Sequence, residues 1–247
     1  MRRFPALFLS LLLALPLTAC GEETGPAASS APTNGSGQSI STPNQLPADS
    51  QNAGEPMKES DPNSKVLIAY FSMPEDIDIS GVDAVAGASV VVRDGEKLGN
   101  TQYVAQLIQE TVGGDLFRIE TVQQYPLDHD PLVDQANDEK AQAARPELFT
   151  HVENFEQYDT ILLGYPNWWA DLPMPLYSFL EEYDFSGKTI IPFVTHGGSR
   201  ASRTLESISS LQPDAVVNSN ALVLSRNDVA ASAQDVIDWA SGLNLEQ

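Results

Sequence analysis

The sequence predicts an α/β domain built on a parallel sheet, and three observations carry that prediction. Val66-Leu67-Ile68-Ala69-Tyr70-Phe71 is a continuous apolar run without polar alternation, as expected of a strand buried on both faces. Similar short runs recur at residues 161–165 and 189–194. Between them lie segments whose apolar residues repeat at helical spacing, so strands and helices alternate along the chain.

Taken in order, the run at 66–71 is the first strand. Gly99-Asn100-Thr101 opens a helix that carries Val104, Leu107, Ile108 and Val112 on one face, and Gly113-Gly114 ends it. Residues 115–120 make a short second strand, and Ile161-Leu162-Leu163-Gly164-Tyr165 a third. Leu176, Phe179, Leu180 and Tyr183 mark the next helix, residues 189–194 the fourth strand and residues 202–211 another helix. An interrupted fifth strand lies within 215–224, and a final amphipathic helix carries Val229, Ala233, Val236, Ile237 and Ala240. Residues 65–247 therefore read as one domain of five parallel strands. Within 73–98, the β-branched run Val90-Val91-Val92 followed by Asp94-Gly95 signals a short hairpin, serving either as a lid or as a surface elaboration.

Composition excludes several functions. The 247 residues carry 13 Lys+Arg against 34 Asp+Glu, a formal net charge of −21, which argues against a nucleic-acid partner. A lone cysteine, Cys20, rules out an internal disulfide, a multi-cysteine zinc site and a Cys-x-x-Cys redox pair. His129, His151 and His196 are not at metal-ligand spacing, so no metal site is expected. The first residues read as an address: Arg2-Arg3, then an apolar stretch over 4–17 that is short for a membrane span of ~20 residues. It ends in Leu17-Thr18-Ala19-Cys20-Gly21, which resembles a bacterial lipobox. Residues 1–19 are expected to be a lipoprotein signal peptide, with Cys20 lipidated and the protein exported and anchored to a bacterial membrane. Residues 20–64, rich in Ser, Pro, Gly, Asn, Gln and Ala, read as a disordered tether.

In an open α/β sheet, ligands sit beyond the carboxyl ends of the strands, near a topological switch point. The loops to inspect follow strands one, three and four. Ser72 and Gly99-Asn100-Thr101 offer hydroxyls and helix N-terminal amides, which suit a phosphate. Pro166-Asn167-Trp168-Trp169 offers indole faces for a flat ligand, and Thr195-His196-Gly197-Gly198-Ser199 offers glycine backbone that can approach a ring edge. Each has a plainer alternative: a helix cap, core tryptophans, a hydrogen-bonded loop histidine. Their convergence on one phosphorylated, planar ligand carries the argument. Three decoys fall away. Ser186-Gly187-Lys188-Thr189 precedes a strand, unlike a phosphate-binding P-loop. His196-Gly197-Gly198 has no accompanying G-x-S-x-G nucleophile turn, and no G-x-G-x-x-G follows a strand.

The landmarks Tyr-Phe-Ser at 70–72, Gly-Asn-Thr at 99–101, Gly-Tyr-Pro-Asn-Trp-Trp at 164–169 and Pro-Phe-x-Thr-His-Gly-Gly-Ser at 192–199 resemble the flavodoxin family, in that order along the chain. The resemblance implies a doubly wound five-stranded sheet of order 2-1-3-4-5 with FMN at the switch point. It places Ser72, Gly99, Asn100 and Thr101 at the FMN phosphate, residues 166–169 against one face of the isoalloxazine, and residues 195–199 along its other side. Trp169, nearer the following helix, is the expected stacking residue. One departure stands out: residues 73–98 split a phosphate loop that is continuous in the family, so Ser72 is the least secure ligand. The implied function is electron transfer with a redox partner protein or a small-molecule acceptor, with no catalytic side chain. The alternative is an FMN-dependent NAD(P)H:quinone or flavin reductase.

Overall fold

The computed structural model describes residues 65–74, 89–243 and 245. The expected signal peptide at 1–19, Cys20, the tether to residue 64 and residues 75–88 of the insertion lie outside the described residues.

Strand β1 (Val66–Tyr70) is buried throughout because its side chains alternate between two cores. Leu67 and Ala69 face one cluster and Val66, Ile68 and Tyr70 the other. The chain next forms a hairpin of β2 (Val90–Arg93) and β3 (Glu96–Gly99), paired antiparallel with Arg93 opposite Glu96. Its turn is Asp94-Gly95, both left-handed (φ 53° and 86°), the geometry that matches strand twist and favours Asp-Gly.

Helix α1 (Asn100–Val112) leads to β4 (Asp115–Arg118), then α2 (His129–Ala141), β5 (Thr160–Pro166), α3 (Met174–Glu182) and β6 (Thr189–His196). Helix α4 (Thr204–Leu211), β7 (Val216–Val217), β8 (Leu222–Ser225) and α5 (Ala233–Ser241) complete the described strands and α-helices. The sheet runs β4-β1-β5-β6-β7, all parallel, and β8 also pairs with β6. Strands β7 and β8 are the two halves of the interrupted fifth strand, so the order is 2-1-3-4-5 as expected. Pairing lapses between Val217, opposite Ile190, and Leu222, opposite Phe193.

Helices α1 and α5 cover one face through Val104, Ile108, Val236 and Ala240, while α2, α3 and α4 cover the other through Leu132, Phe179 and Ile208. Nothing in the sequence reading anticipated α2. Only Leu132 and Ala136 of its thirteen residues are buried, Pro131 sits in its first turn, and Asp, Gln and Asn dominate the rest. The sparse apolar stripe leaves little helical period to detect.

Candidate functional site

The carboxyl ends of β1, β5, β6 and β8 open on one side of the sheet, where α1 begins. Ser72, just past β1, accepts a hydrogen bond at Oγ from the Gln102 N–H (3.3 Å), capping the first turn of α1. The Asn100 N–H donates to the Ser89 carbonyl (3.0 Å). Ser72, just before the insertion, and Ser89, within it, thus meet on one helical turn, and the split loop is rejoined in space. Gly99 makes this possible, since a Cβ there would lie 2.1 Å from Ser72 Oγ. Thr101 shares a 2.8 Å hydrogen bond with Thr195, tying α1 to the end of β6; both are buried. Asn100 is different. It is 3% exposed, and among the described residues neither its Oδ1 nor its Nδ2 has a partner.

The loop after β5 turns at Trp169 and Ala170, both left-handed (φ 53° and 60°), and closes on paired hydrogen bonds between Trp168 and Asp171. A bulky residue at positive φ persists only where its surroundings enforce it. Here the enforcing group is Asp171. It accepts from the Leu172 N–H (3.0 Å), Ser207 Oγ (2.8 Å), Tyr177 Oη (3.2 Å) and Arg203 Nη2 (3.0 Å). Burial alone raises a carboxyl pKa, but these donors outweigh it and hold Asp171 below its usual value.

Trp168 is wedged edge-on against Phe71 (5.3 Å between centroids) and Tyr125 (5.6 Å). Trp169 is 48% exposed; its indole N–H donates to the Val133 carbonyl (3.2 Å), and Lys140 Nζ donates to the Trp169 carbonyl. The exposed tryptophan is therefore latched to α2. Asn167 latches the other side, its Nδ2 donating to the Arg200 carbonyl (2.6 Å) and Ser202 Oγ (3.0 Å) while its Oδ1 has no partner among the described residues.

In the loop after β6, the Gly198 N–H donates to His196 Nδ1 (3.0 Å), which leaves the imidazole proton on Nε2. Burial, assisted by the charge of Arg200 and opposed by Asp228, holds His196 below its ordinary pKa.

These loops enclose a cavity of about 360 Å³. Of the residues singled out from sequence, Asn100, Pro166, Asn167, Trp168, Trp169, Thr195, His196, Gly197, Gly198 and Ser199 line it. Ser72, Gly99 and Thr101 do not line it; they shape and hold the turn that presents Asn100. The sequence reading missed the apolar wall from α2 (Leu132, Val133, Ala136) and, at the opposite rim, Arg226. The spacing of Leu132 and Ala136, one helical turn apart, was the available signal for the wall.

A buried amide with unmet hydrogen bonds at one end, indole and aliphatic walls and a glycine-backed side together fit a planar ligand with a polar tail. FMN has that form, and the residues present suit it.

The family model described as Flavodoxin matches residues 89–242. Among solved structures, a flavoprotein from Bacteroides uniformis is 27% identical, with TM-score 0.54, covering 72% of this chain and 97% of that one. A flavoprotein from Bacteroides eggerthii is also 27% identical, with TM-score 0.51 and coverage of 70% and 98%. A flavoprotein in complex with FMN from Lactobacillus acidophilus is 19% identical over 70% of this chain and 97% of that one, with TM-score 0.47. No curated protein matches the chain.

Proposed function

Because the chain belongs to the flavodoxin family, we propose that it is an FMN-binding electron-transfer protein whose cofactor occupies the cavity at the ends of β1, β5 and β6. The observation that carries this reading is Asn100, an amide buried without a partner beside the first turn of a thirteen-residue helix. Unpaired buried amides are costly, and a phosphate there would satisfy the Nδ2 donor at the positive end of the helix dipole. When bound, FMN supplies the electron chemistry. The chain's residues hold and shield it. Asn100 would hold the phosphate, Trp168 and Trp169 would flank the ring, and the backbone of residues 196–199 would line its other side. Leu132, Val133 and Ala136 exclude water, and His196 presents a neutral Nε2–H donor. The electrons are exchanged with a partner protein or a small-molecule acceptor.

A visible flavin spectrum of the purified protein, with tighter binding of FMN than of riboflavin, tests the reading. A colourless protein that refuses added FMN overturns it.

One observation favours the alternative, an FMN-dependent NAD(P)H:quinone or flavin reductase. Helix α2 adds an apolar wall latched to Trp169, a surface of the kind on which a flat nicotinamide or quinone ring packs. Rapid direct bleaching of the flavin by one nicotinamide in stopped flow would select this alternative, and sluggish bleaching by both would select the carrier.

We also propose that Cys20 is lipidated and tethers the protein to a bacterial membrane through residues 20–64, on the strength of the lipobox-like sequence at 17–21. Replacing Cys20→Ser should release the protein from sedimenting membranes. Retention of the variant, with no lipid on the wild type by mass spectrometry, would refute the anchor.

A further inference from the structure

Arg200 and Arg226 are unusual for what they lack. Among the described residues, every other lysine and arginine is engaged, for instance Arg93 with Glu110, Arg145 with Glu181, Arg203 with Asp171 and Lys140 with the Trp169 carbonyl. No described residue offers either of these two guanidiniums a hydrogen bond or an ion pair. Carboxylates are not scarce in a chain of net charge −21. Arg226 lines the cavity, and Arg200 directly follows the lining residue Ser199. Arg226 follows β8, lines the cavity and packs on Gly197: a Cβ at Gly197 would lie 3.4 Å from its Cζ and 3.5 Å from its Nε and Nη1. Arg200 lies in the loop after β6, where Asn167 holds its carbonyl and its charge reaches His196.

Two unneutralised cations at the rim of a cleft, in an otherwise negative protein, focus a positive potential there. Asp228 acts on His196, and among the described residues it pairs with neither arginine. Depth separates this rim from the inner end. Asn100 is buried, whereas residues 197–200 are exposed. An anion already seated in the cavity meets Asn100; one arriving from solvent meets the arginines first. Guanidinium is also the side chain whose fork of N–H donors matches phosphate oxygens two at a time.

We infer that Arg200 and Arg226 form a second anion subsite, which receives the phosphate ester of an incoming nucleotide-type redox partner rather than the phosphate of the cofactor. The inference rests on the reading of the inner cavity as the FMN site, and it adds the class of molecule that trades electrons there.

The test is an amide NMR titration of the FMN-loaded protein with inorganic pyrophosphate, following Gly197 and Gly198. Saturable shifts are expected at these two residues. Arg226→Gln, and separately Arg200→Gln on its exposed loop, should each weaken the pyrophosphate response about tenfold, on the scale of one lost charge-assisted contact. That loss should exceed any loss of FMN affinity. Shifts that persist unchanged in both variants overturn the inference. So does a variant that loosens FMN but not riboflavin, because the arginines would then serve the cofactor's own phosphate. Running the same titration on the cofactor-free protein keeps the two readings apart. An arginine-dependent response in a protein that never takes up FMN refutes the cofactor reading and leaves the anion subsite standing.

Discussion

Replacing Asn100 with leucine separates stability from cofactor binding, because the two should move in opposite directions. Asn100 is 3% exposed, and its Oδ1 and Nδ2 have no partner among the described residues. A buried amide without a hydrogen bond costs about 1–3 kcal/mol in protein substitution data. Leucine nearly matches asparagine in shape, has the higher helix propensity and brings no polar atom. The cofactor-free Asn100→Leu protein should therefore gain about 1–3 kcal/mol in urea unfolding. With FMN the sign reverses. A hydrogen bond to a charged group contributes about 1.5–3 kcal/mol, which corresponds to about 10–150-fold weaker FMN binding when it is lost. Riboflavin, which has no phosphate, should bind the variant almost as it binds the wild type. Fluorescence titrations with both ligands and urea melts of the cofactor-free forms provide the four numbers needed. A destabilised variant would mean that the amide has a structural role. Equal losses for FMN and riboflavin would remove Asn100 from the phosphate end.

Asp171→Asn should cost about 2–4 kcal/mol, since the substitution removes a buried charge from four donors and turns an amide N–H toward Arg203; an unfolding shift below about 0.5 kcal/mol would show that the tryptophan turn does not depend on it. Because its folded pKa is depressed, Asp171 stabilises the fold above the ordinary carboxylate range. That contribution is lost as pH falls through the folded value, so the gap between wild type and Asp171→Asn should close in strong acid. Gly164→Ala places a Cβ 2.1 Å from the ring of the fully buried Phe193 and should destabilise by about 1–3 kcal/mol in thermal or urea unfolding; a neutral result would refute that packing. His196 should titrate by NMR below an ordinary histidine, and Arg200→Gln should move it upward. With its folded pKa depressed, its contribution to stability is complete at neutral pH and declines as pH drops below about 6.5. A His196 midpoint that ignores Arg200 would place that charge elsewhere.

The sheet was legible because its strands are buried on both faces and therefore appear as unbroken apolar runs, as at 66–71 and 189–194. The hairpin was legible because Asp94-Gly95 can serve a tight turn in few other ways. Helix α2 escaped because it packs with little more than Leu132 and Ala136 and presents the rest of its length to solvent or to the cavity. The insertion made the phosphate loop look broken. In three dimensions Ser72 and Ser89 meet the same helical turn, a closure that depends on Gly99 having no side chain.

The site was legible by residue type and not by bonding state. Hydroxyls at Ser72 and Thr101 look like phosphate ligands, yet one caps α1 and the other binds Thr195. Their neighbour Asn100 keeps both amide atoms unmatched. The same distinction sorts the cations. Arg203 and Arg226 are the same letter in the sequence, but Arg203 clamps the tryptophan turn through Asp171 while Arg226 rests on a glycine backbone with its charge unmatched. Whether a polar group is already satisfied depends on partners many residues away, thirty between Ser72 and Gln102 and thirty-two between Arg203 and Asp171. No local pattern carries that information. A ligand is recognised by the groups a fold leaves unsatisfied, so Asn100 within the cavity and the two arginines at its mouth are where the fold and the function of this chain meet.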